Sequence, residues 1–322
     1  MSIRRLRRLR LQPSLRNLVR ETHLRRDDLI LPLFVTAGQR REPLSAIPGS
    51  FLLAGEALRE EASRIRDLGI PAVLLFAVVE EKLKDPDASC CSSLENPVLG
   101  ALQLLKQEFP ELVLIADLCL CEYTSHGHCG ILHDNAIDND ATLKQLARSA
   151  VLLAEAGADL IAPSGVMDGT VAALRNALDA AGQEAVGLMP YSAKFHSLLY
   201  GPFKSATHSQ PGESKHATHQ LDVANRRAAL QKIRQDIAEG ADLVIVKPAL
   251  TSLDVLALAR QEFLVPLAAY DVSGSYRMLL DYCGADESLK QALMLEMLTA
   301  IKRAGADLII TYHALEAARI LP

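Results

Sequence analysis

The sequence predicts an α/β protein with the architecture of a (β/α)₈ TIM barrel, and two observations support this prediction. First, one pattern recurs along the chain: a helix end, a glycine, and then an apolar strand. It occurs in "LLAEAGADLIAPSG" (152–165), "DIAEGADLVIVKP" (236–248) and "IKRAGADLIITYH" (301–313). This rhythm is typical of helices that alternate with parallel strands. Second, the 322 residues contain eight candidate strands, which suits one closed barrel.

The candidate strands are apolar on both faces, as parallel strands covered by helices are. They span 29–35, 72–78, 112–118, 159–165, 185–191, 242–248, 267–274 and 307–313. Helical stretches fill the gaps between them, for example over 141–156, 222–239 and 285–303. A doubly wound open sheet is the alternative. No GxGxxG after the first strand and no GxxxxGK[ST] motif supports it.

The arginine-rich start "MSIRRLRRLRLQP" predicts an N-terminal arm over 1–28, ahead of a single barrel domain over 29–322. The formal net charge is −5, so we expect the arm to be solvated or to contact another subunit rather than nucleic acid. No apolar run of signal-peptide or membrane length is present, and we therefore expect a cytoplasmic protein without a membrane partner. In that reducing compartment, clustered cysteines are typical of metal or catalytic sites rather than disulfides.

Polar residues appear where the apolar strands end. In a barrel of this type, the chemistry takes place at the carboxyl ends of the strands. The residues found there are Asp117, Cys119, Ser164, Lys194, Lys247, Ser273 and Tyr312. A strand that served only for packing would have no use for such ends, so we expect these side chains to face the barrel mouth.

The stretch "DLCLCEYTSHGHCG" (117–130) is dense in reactive groups. Its cysteines are Cys119, Cys121 and Cys129. The first two point to the same side of an extended segment, and the third can fold back to join them. Three thiolates leave zinc one open position, which is the pattern of a catalytic site. The alternatives are a closed structural site completed by His126 or His128, and cysteines without metal. The other cysteines, Cys90, Cys91 and Cys283, are expected to be small buried hydrophobic residues.

Two lysines follow neighbouring candidate strands. If Lys194 and Lys247 share the barrel mouth, each lowers the pKa of the other, and desolvation lowers both. A neutral lysine amine attacks a ketone to form a Schiff base, so two amines predict two carbonyl substrates, or one substrate and a helper lysine. Either lysine alone would be expected to extend its ammonium to water.

The polar segment 201–220 is long for a loop. It is either a lid, in which Lys204, Lys215 and His216 hold a carboxylate, or a solvated surface loop.

Several motifs in order resemble the 5-aminolevulinate dehydratase (porphobilinogen synthase) family. They are "DLCLCEYTSHGHCG", "APSGVMDG", "YSAKF…YGPF", "VKPA…LD", "YDVSG" and "ITYH". The likeness extends over nearly the whole chain, including the arm and first strand. It implies a lyase that condenses two 5-aminolevulinate molecules to porphobilinogen, with loss of two waters, in heme biosynthesis. It also implies a large homo-oligomer, commonly an octamer, in which the arm embraces a neighbour.

The resemblance also implies roles for the residues at the strand ends. Lys247 would form a Schiff base with the substrate that supplies the propionate side chain, and Lys194 with the second substrate. Asp117 and Ser164 would orient the second substrate and assist proton transfer. A catalytic Zn²⁺, which binds that substrate, would be held by Cys119, Cys121 and Cys129. The other substrate-binding residues would be Tyr191, Phe203, Lys204, Lys215, His216, Gln220, Ser273 and Tyr312.

Some positions depart from the family pattern. Gly165 stands where an aspartate is usual, and lysine or histidine replaces the lid arginines. His196 and Pro190 replace small residues. Lys232 occupies the usual place of an acidic ligand for an allosteric magnesium, and a cation there predicts that no such magnesium binds. These changes leave one alternative to the active dehydratase, a paralogue with an altered substrate or a non-catalytic role. Independently of them, the barrel and Lys247 alone would also suit a Schiff-base aldolase, which leaves the three cysteines unexplained.

Overall fold

The structure, a computed structural model, describes residues 4–207, 209 and 218–322. Its strands are β1 (Leu29–Val35), β2 (Arg40–Pro43), β3 (Phe51–Ala54), β4 (Ala72–Ala77), β5 (Val113–Leu118), β6 (Leu132–His133), β7 (Ala136–Ile137), β8 (Leu160–Pro163), β9 (Gly187–Leu188), β10 (Ala193–Lys194), β11 (Val244–Lys247), β12 (Leu267–Asp271) and β13 (Leu308–Thr311). The main sheet runs in the order β10-β11-β12-β13-β1-β4-β5-β8-β9, and neighbours in this order are parallel.

The sheet closes through the segment that contains both β9 and β10. On one side, Met189 donates its backbone N–H to Ile161 at 2.8 Å. On the other side, Ile245 donates to the carbonyl of Pro190 at 2.9 Å. The barrel prediction is therefore confirmed. The candidate strand over 185–191 is interrupted, because Pro190 has no N–H to donate to the ladder.

Helices cover the outside of the barrel and follow the strands in alternation. They are α1 (Pro13–Leu18), α2 (Glu56–Asp67), α3 (Pro97–Glu108), α4 (Asn139–Glu155), α5 (Thr170–Ala180), α6 (Gly201–Ala206), α7 (Arg226–Ala238), α8 (Leu253–Glu262), α9 (Ser273–Cys283), α10 (Glu287–Ala304) and α11 (Ala314–Ala318). The glycines of the repeated motif, Gly157, Gly240 and Gly305, end α4, α7 and α10 with φ of 107°, 108° and 124°. Only glycine adopts such angles without strain, which explains the repeat in the sequence.

Side chains of β1 alternate between two cores. Ile30 and Phe34 pack inside the barrel, whereas Leu31 and Leu33 pack outward against the helices. This period of two follows from strand geometry. Near the barrel mouth the interior becomes aromatic. The rings there belong to Phe34, Phe76, Tyr191, Tyr270 and Tyr312.

The N-terminal segment before the barrel buries little of its own surface. The helix α1 has no buried residue. Large apolar side chains of this segment are exposed to solvent, namely Leu6, Leu9, Leu11, Leu18 and Val19. Within the described residues, no helix combines the length and apolarity needed to cross a membrane.

Candidate active site

Parallel pairing places the two lysines side by side. In the register of β10 and β11, Lys194 lies opposite Lys247. Both side chains are buried, with exposed fractions of 7% and 5%. Asp117 is the penultimate residue of β5, which pairs with β8, and Ser164 follows β8 directly. The barrel thus gathers these four predicted residues at one end, as the strand-end argument requires.

The three predicted metal ligands also converge. The sulfur atoms of Cys119, Cys121 and Cys129 all lie within 4.8 Å of one another. In the part of the chain that is described, no histidine or carboxylate completes this set. His126 instead places Nε2 3.2 Å from the carbonyl oxygen of Pro86. The geometry therefore favours a three-sulfur site over the closed site with a histidine.

Protons are shared unequally among the three thiols. Hydrogen bonds from the thiols of Cys119 and Cys121 lower the pKa of Cys129 well below its usual value. For Cys121, hydrogen bonds with Cys119 and then with Cys129 raise the pKa of the thiol well above its usual value. One thiolate held by two thiols is a set that fits a soft metal ion, since the metal replaces the remaining protons.

Lys247 lies in an aromatic cage formed by Tyr191, Tyr200, Phe203 and Tyr270. Its Nζ lies 4.2 Å from the ring centre of Tyr270, 4.9 Å from Tyr200, 5.2 Å from Tyr191 and 5.3 Å from Phe203. Burial, followed by the charge of Lys194, lowers the pKa of Lys247 from 10.5 to about 7. A large share of this amine is therefore neutral and nucleophilic near pH 7.

Lys194 has a different environment. Its Nζ donates a hydrogen bond to the backbone oxygen of Ser164 at 2.6 Å. Burial acts to lower its pKa, but interactions with nearby cysteines, first Cys129 and then Cys119, outweigh burial and raise the pKa above 10.5. The expectation that both lysines would have lowered pKa values is therefore wrong for Lys194, because the sequence argument omitted the cysteine charges.

Asp117 is positioned for proton transfer. Its Oδ2 accepts a hydrogen bond from the Ser164 hydroxyl at 2.9 Å. Its Oδ1 is buried without a partner among the described residues. Burial, followed by Cys119, raises the pKa of Asp117 to about 7. A carboxyl group with such a pKa takes up and returns protons near neutral pH.

The turn that carries Ser164 has an unusual backbone. Val166 has a φ of 60°. A β-branched residue rarely adopts this conformation, and such strain is typical of turns at active sites. At the neighbouring Gly165, an added Cβ would lie 3.5 Å from the carbonyl oxygen of Cys129, an ordinary contact. Packing around the first side-chain atom therefore does not require glycine at this position.

A cavity of about 170 Å³ connects the reactive groups. This volume is below the usual range of roughly 300–1,000 Å³ for ligand pockets. The Phe203 ring takes up space in the barrel mouth, with its centre 4.9 Å from that of Phe76 and 5.8 Å from that of Phe34. The cavity is lined by Cys121, Gly127, His128, Cys129, Lys194, His196, Tyr200, Phe203, Lys204, Ser209, His219, Gln220 and Lys247.

Other predicted substrate-binding residues lie around this cavity. Ser273 Oγ accepts a hydrogen bond from the backbone N–H of Phe203 at 3.0 Å. The Tyr312 hydroxyl lies 3.1 Å from that of Tyr270, so it connects to the aromatic cage. Gln220 Oε1 lies 3.2 Å from His196 Nδ1. Lys215 and His216 lie outside the described residues.

Sequence reasoning did not single out two residues of this region. Glu122 is buried, and desolvation followed by Asp117 raises its pKa well above the usual value. The sequence did offer an indication of Glu122, since it is an acidic residue within the cysteine-rich stretch 117–130. His219 lines the cavity, and both of its ring nitrogens are buried without a partner among the described residues. Its position in a polar loop gave no signal of burial.

Lys232 does not face the cavity. Its ammonium group forms an ion pair with Asp236, one turn further along α7. The exposed fraction of the Asp236 side chain is 1%, and that of Lys232 is 11%. A protein cation thus already lies beside this buried carboxylate.

The fold and these groups define a class: a (β/α)₈-barrel enzyme with buried lysines at the carboxyl ends of its strands. A model of the family described as delta-aminolevulinic acid dehydratase matches residues 3–320. A relative of that name from Halalkalibacterium halodurans is 45% identical over 322 residues, which cover 100% of this chain and 98% of the relative. The relative of the same name from Bacillus subtilis is 43% identical over 321 residues, with 99% and 98% covered.

A solved structure is also similar over the whole barrel. It is delta-aminolevulinic acid dehydratase (porphobilinogen synthase) from Toxoplasma gondii, in complex with the reaction product porphobilinogen. The TM-score is 0.96 at 39% sequence identity, with 99% of this chain and 91% of that chain covered. The chain belongs to the delta-aminolevulinic acid dehydratase family, and the resemblance inferred from the sequence motifs is confirmed.

Proposed function

We propose that the barrel mouth is the site at which this chain condenses two 5-aminolevulinate molecules to porphobilinogen, with loss of two waters, a lyase reaction of tetrapyrrole and heme biosynthesis. Family membership supplies the reaction. The observation that supports this location is the buried pair Lys194 and Lys247, adjacent in register and next to the three cysteines. A Schiff-base aldolase would need only one lysine and would leave these cysteines without a role.

Lys247 binds the first substrate. The neutral amine attacks the ketone carbon, and the resulting carbinolamine takes up a proton from solvent and loses water to give a protonated Schiff base. The faces of the surrounding rings stabilise the positive charge of this species. Tyr312 and Ser273, connected to this side through Tyr270 and Phe203, bind the carboxylate of the first substrate.

Lys194 binds the second substrate. Its ammonium group must lose a proton before it attacks, and Asp117 is the nearby carboxyl group whose pKa of about 7 allows it to exchange protons at neutral pH. Ser164 orients Asp117 through its hydroxyl and Lys194 through its carbonyl oxygen. The remaining contacts to substrate come from Tyr191, Phe203, Lys204, Gln220 and, in the lid, Lys215 or His216.

Cys119, Cys121 and Cys129 hold a catalytic zinc ion. Three sulfur donors within 4.8 Å of one another, one of them favoured as thiolate, fit a tetrahedral soft-metal site with one open position. When bound, zinc supplies a positive charge and an open coordination position that hold the second substrate.

No magnesium binds at Lys232. An added dication would be repelled by the ammonium group, and the buried carboxylate of Asp236 already has this cation as its partner. Activity is therefore expected to be the same with and without added Mg²⁺, once zinc is supplied. A clear stimulation by Mg²⁺ alone would contradict this.

The assembly is a homo-octamer or another large homo-oligomer, in which the arm over 1–28 contacts a neighbour and 29–322 forms the catalytic domain. The exposed apolar side chains of the arm support this, since an interface would bury them. We place the enzyme in the cytoplasm, where a reducing environment keeps the three metal-binding thiols free.

The decisive experiment incubates purified protein with 5-aminolevulinate, with and without a zinc chelator, and assays for a pyrrole. We expect pyrrole formation that the chelator abolishes and zinc restores. An aldol-type product that is insensitive to the chelator would indicate the aldolase. No pyrrole from folded, zinc-loaded protein would indicate a paralogue with another ligand.

A further inference from the structure

His219 is a partly buried histidine whose ring nitrogens are buried and lack a partner among the described residues. Neither Nδ1 nor Nε2 forms a hydrogen bond within the described residues, and both atoms are shielded from solvent. Buried polar atoms are almost always paired, so an unpaired imidazole that borders a cavity indicates a missing ligand. His219 borders the same cavity as Lys194 and Lys204.

His219 is not one of the metal-binding groups. No imidazole nitrogen joins the sulfur cluster in the described part of the chain. Burial, followed by the charge of Lys194, lowers the pKa of His219 to about 4. The ring is thus neutral at pH 7 and offers one N–H donor and one acceptor nitrogen. The charge of a second cation, Lys204, also contributes to the lowered pKa of His219.

A cation and a neutral donor in one cavity wall fit an anion. Lys204 is only partly buried and lines the same cavity. An anion that enters the cavity would gain a charge-assisted contact with Lys204 and a hydrogen bond from His219. The substrate carries one such group: its carboxylate is separated from the ketone by two methylene groups. With the ketone at Lys194, the carboxylate remains within the same small cavity.

We propose that His219 is a substrate-binding residue that donates its N–H to the carboxylate of the 5-aminolevulinate molecule held by Lys194, beside the ammonium group of Lys204. The inference rests on the proposed function and adds a residue to it. His219 fixes which end of the substrate faces away from the zinc site. It therefore determines specificity for an amino ketone that ends in a carboxylate.

The test measures ligand binding at Lys194 by trapping with borohydride and mapping the modified peptide by mass spectrometry. Three ligands are compared: 5-aminolevulinate; 4-oxopentanoate, which keeps the carboxylate and lacks the amine; and aminoacetone, which keeps the amine and lacks the carboxylate. The variants are His219→Phe, which removes both nitrogens, and His219→Asn, which keeps an N–H donor. His133→Phe is the matched control, since that side chain is exposed, with 78% of its surface accessible.

In His219→Phe, the concentration of 5-aminolevulinate or 4-oxopentanoate that half-saturates trapping at Lys194 should rise about 10- to 100-fold, as expected for a lost hydrogen bond to a charged group. Aminoacetone should be trapped as in the wild type. His219→Asn should recover most of the loss, and His133→Phe should show none. Unchanged trapping at Lys247 in His219→Phe verifies the fold. If His219→Phe is misfolded, His219→Gln takes its place. Since glutamine keeps an N–H donor, the half-saturating concentration should then rise less than it would if the hydrogen bond were lost completely.

Several outcomes overturn the inference. Equal losses for aminoacetone and 5-aminolevulinate would assign His219 to the ketone or amine end. Normal trapping of all three ligands by His219→Phe would show that His219 does not contact the substrate. Loss of zinc from His219→Phe would make the residue a metal ligand. If the wild type makes no pyrrole from 5-aminolevulinate, the proposed function fails, and this result is separate from any difference between the variants.

Discussion

Lys194 and Lys247 lie opposite each other in adjacent strands, yet their surroundings act in opposite directions. Aromatic rings surround Lys247, and desolvation brings its pKa down to about 7. The cysteine cluster, led by Cys129, and the carboxyl group of Asp117 raise the pKa of Lys194. The two amines have the same chemistry and nearly the same burial. The difference shows that neighbouring charges, and not burial alone, decide which lysine is reactive.

This asymmetry predicts an order of events. At neutral pH, Lys247 is partly neutral and forms its Schiff base without help. Lys194 is protonated in the metal-free protein and reacts only once the sulfur charges are balanced and a base accepts its proton. Under the proposed function, the barrel would thereby distinguish two identical substrate molecules, since each would meet a different amine.

Replacing either lysine should have the largest effect. Lys247→Met and Lys194→Met each remove a nucleophile, and we expect pyrrole formation to fall about a thousandfold or more. Lys144→Met, on the exposed face of α4, is the control. Borohydride trapping should still modify Lys247 in the Lys194→Met variant. If both single variants retained most of the activity, neither lysine would be the nucleophile.

Metal removal should affect the two lysines unequally. In chelator-treated protein, pyrrole formation is expected to fall at least about a hundredfold, because the second substrate loses its metal contact. Trapping of 5-aminolevulinate at Lys247 should continue, whereas trapping at Lys194 should be largely lost. Peptide mapping measures both. Equal loss of trapping at Lys194 and Lys247 would contradict the prediction that the metal acts mainly on the substrate at Lys194.

The pH dependence of trapping should follow the amine of Lys247. Below its pKa of about 7 the amine is protonated and has no lone pair, so the rate should fall about tenfold per pH unit as pH decreases. Above that value the rate should level off. Single-turnover trapping from pH 5 to 9 measures this profile. A rate that still rises about tenfold per pH unit up to pH 9, as for an ordinary lysine, would show that burial and the charge of Lys194 do not lower the pKa.

The smallest effect is expected from Ser164→Ala. This change removes the hydroxyl that donates to Asp117 but keeps the carbonyl oxygen that accepts from Lys194. We expect kcat to fall about 5- to 10-fold, in line with one lost hydrogen bond of about 1 kcal/mol to a carboxyl group that is only partly ionised near pH 7. Steady-state kinetics measure this fall in kcat. A melting temperature equal to that of the wild type would show that the fall does not come from instability. A thousandfold loss would instead give the hydroxyl a direct part in the chemistry.

Much of the fold could be predicted because its signals are local. The repeated glycine after a helix marks positive φ, and the apolar strands end in polar residues at the barrel mouth. The spacing of Cys119 and Cys121 likewise anticipated that their sulfurs would converge with that of Cys129. In these cases, neighbouring residues in the sequence determine the geometry.

Other features depend on contacts that are distant in the sequence. The raised pKa of Lys194 comes from cysteines in the loop that follows β5, which the barrel brings close. The burial of His219 depends on how its loop packs over the cavity, and nothing in "ATHQ" indicates this. The interruption at Pro190 was visible in the sequence, since proline lacks an N–H, but the apolar pattern of 185–191 was given more weight.

The aromatic cage also limits which compounds can react with Lys247. A lysine with a pKa near 7 is partly neutral, and a neutral amine also attacks the carbonyl groups of other aldehydes and sugars. Four rings around Nζ and a cavity of about 170 Å³ leave no room for bulky sugars. The packing that makes this amine reactive therefore also protects it from glycation.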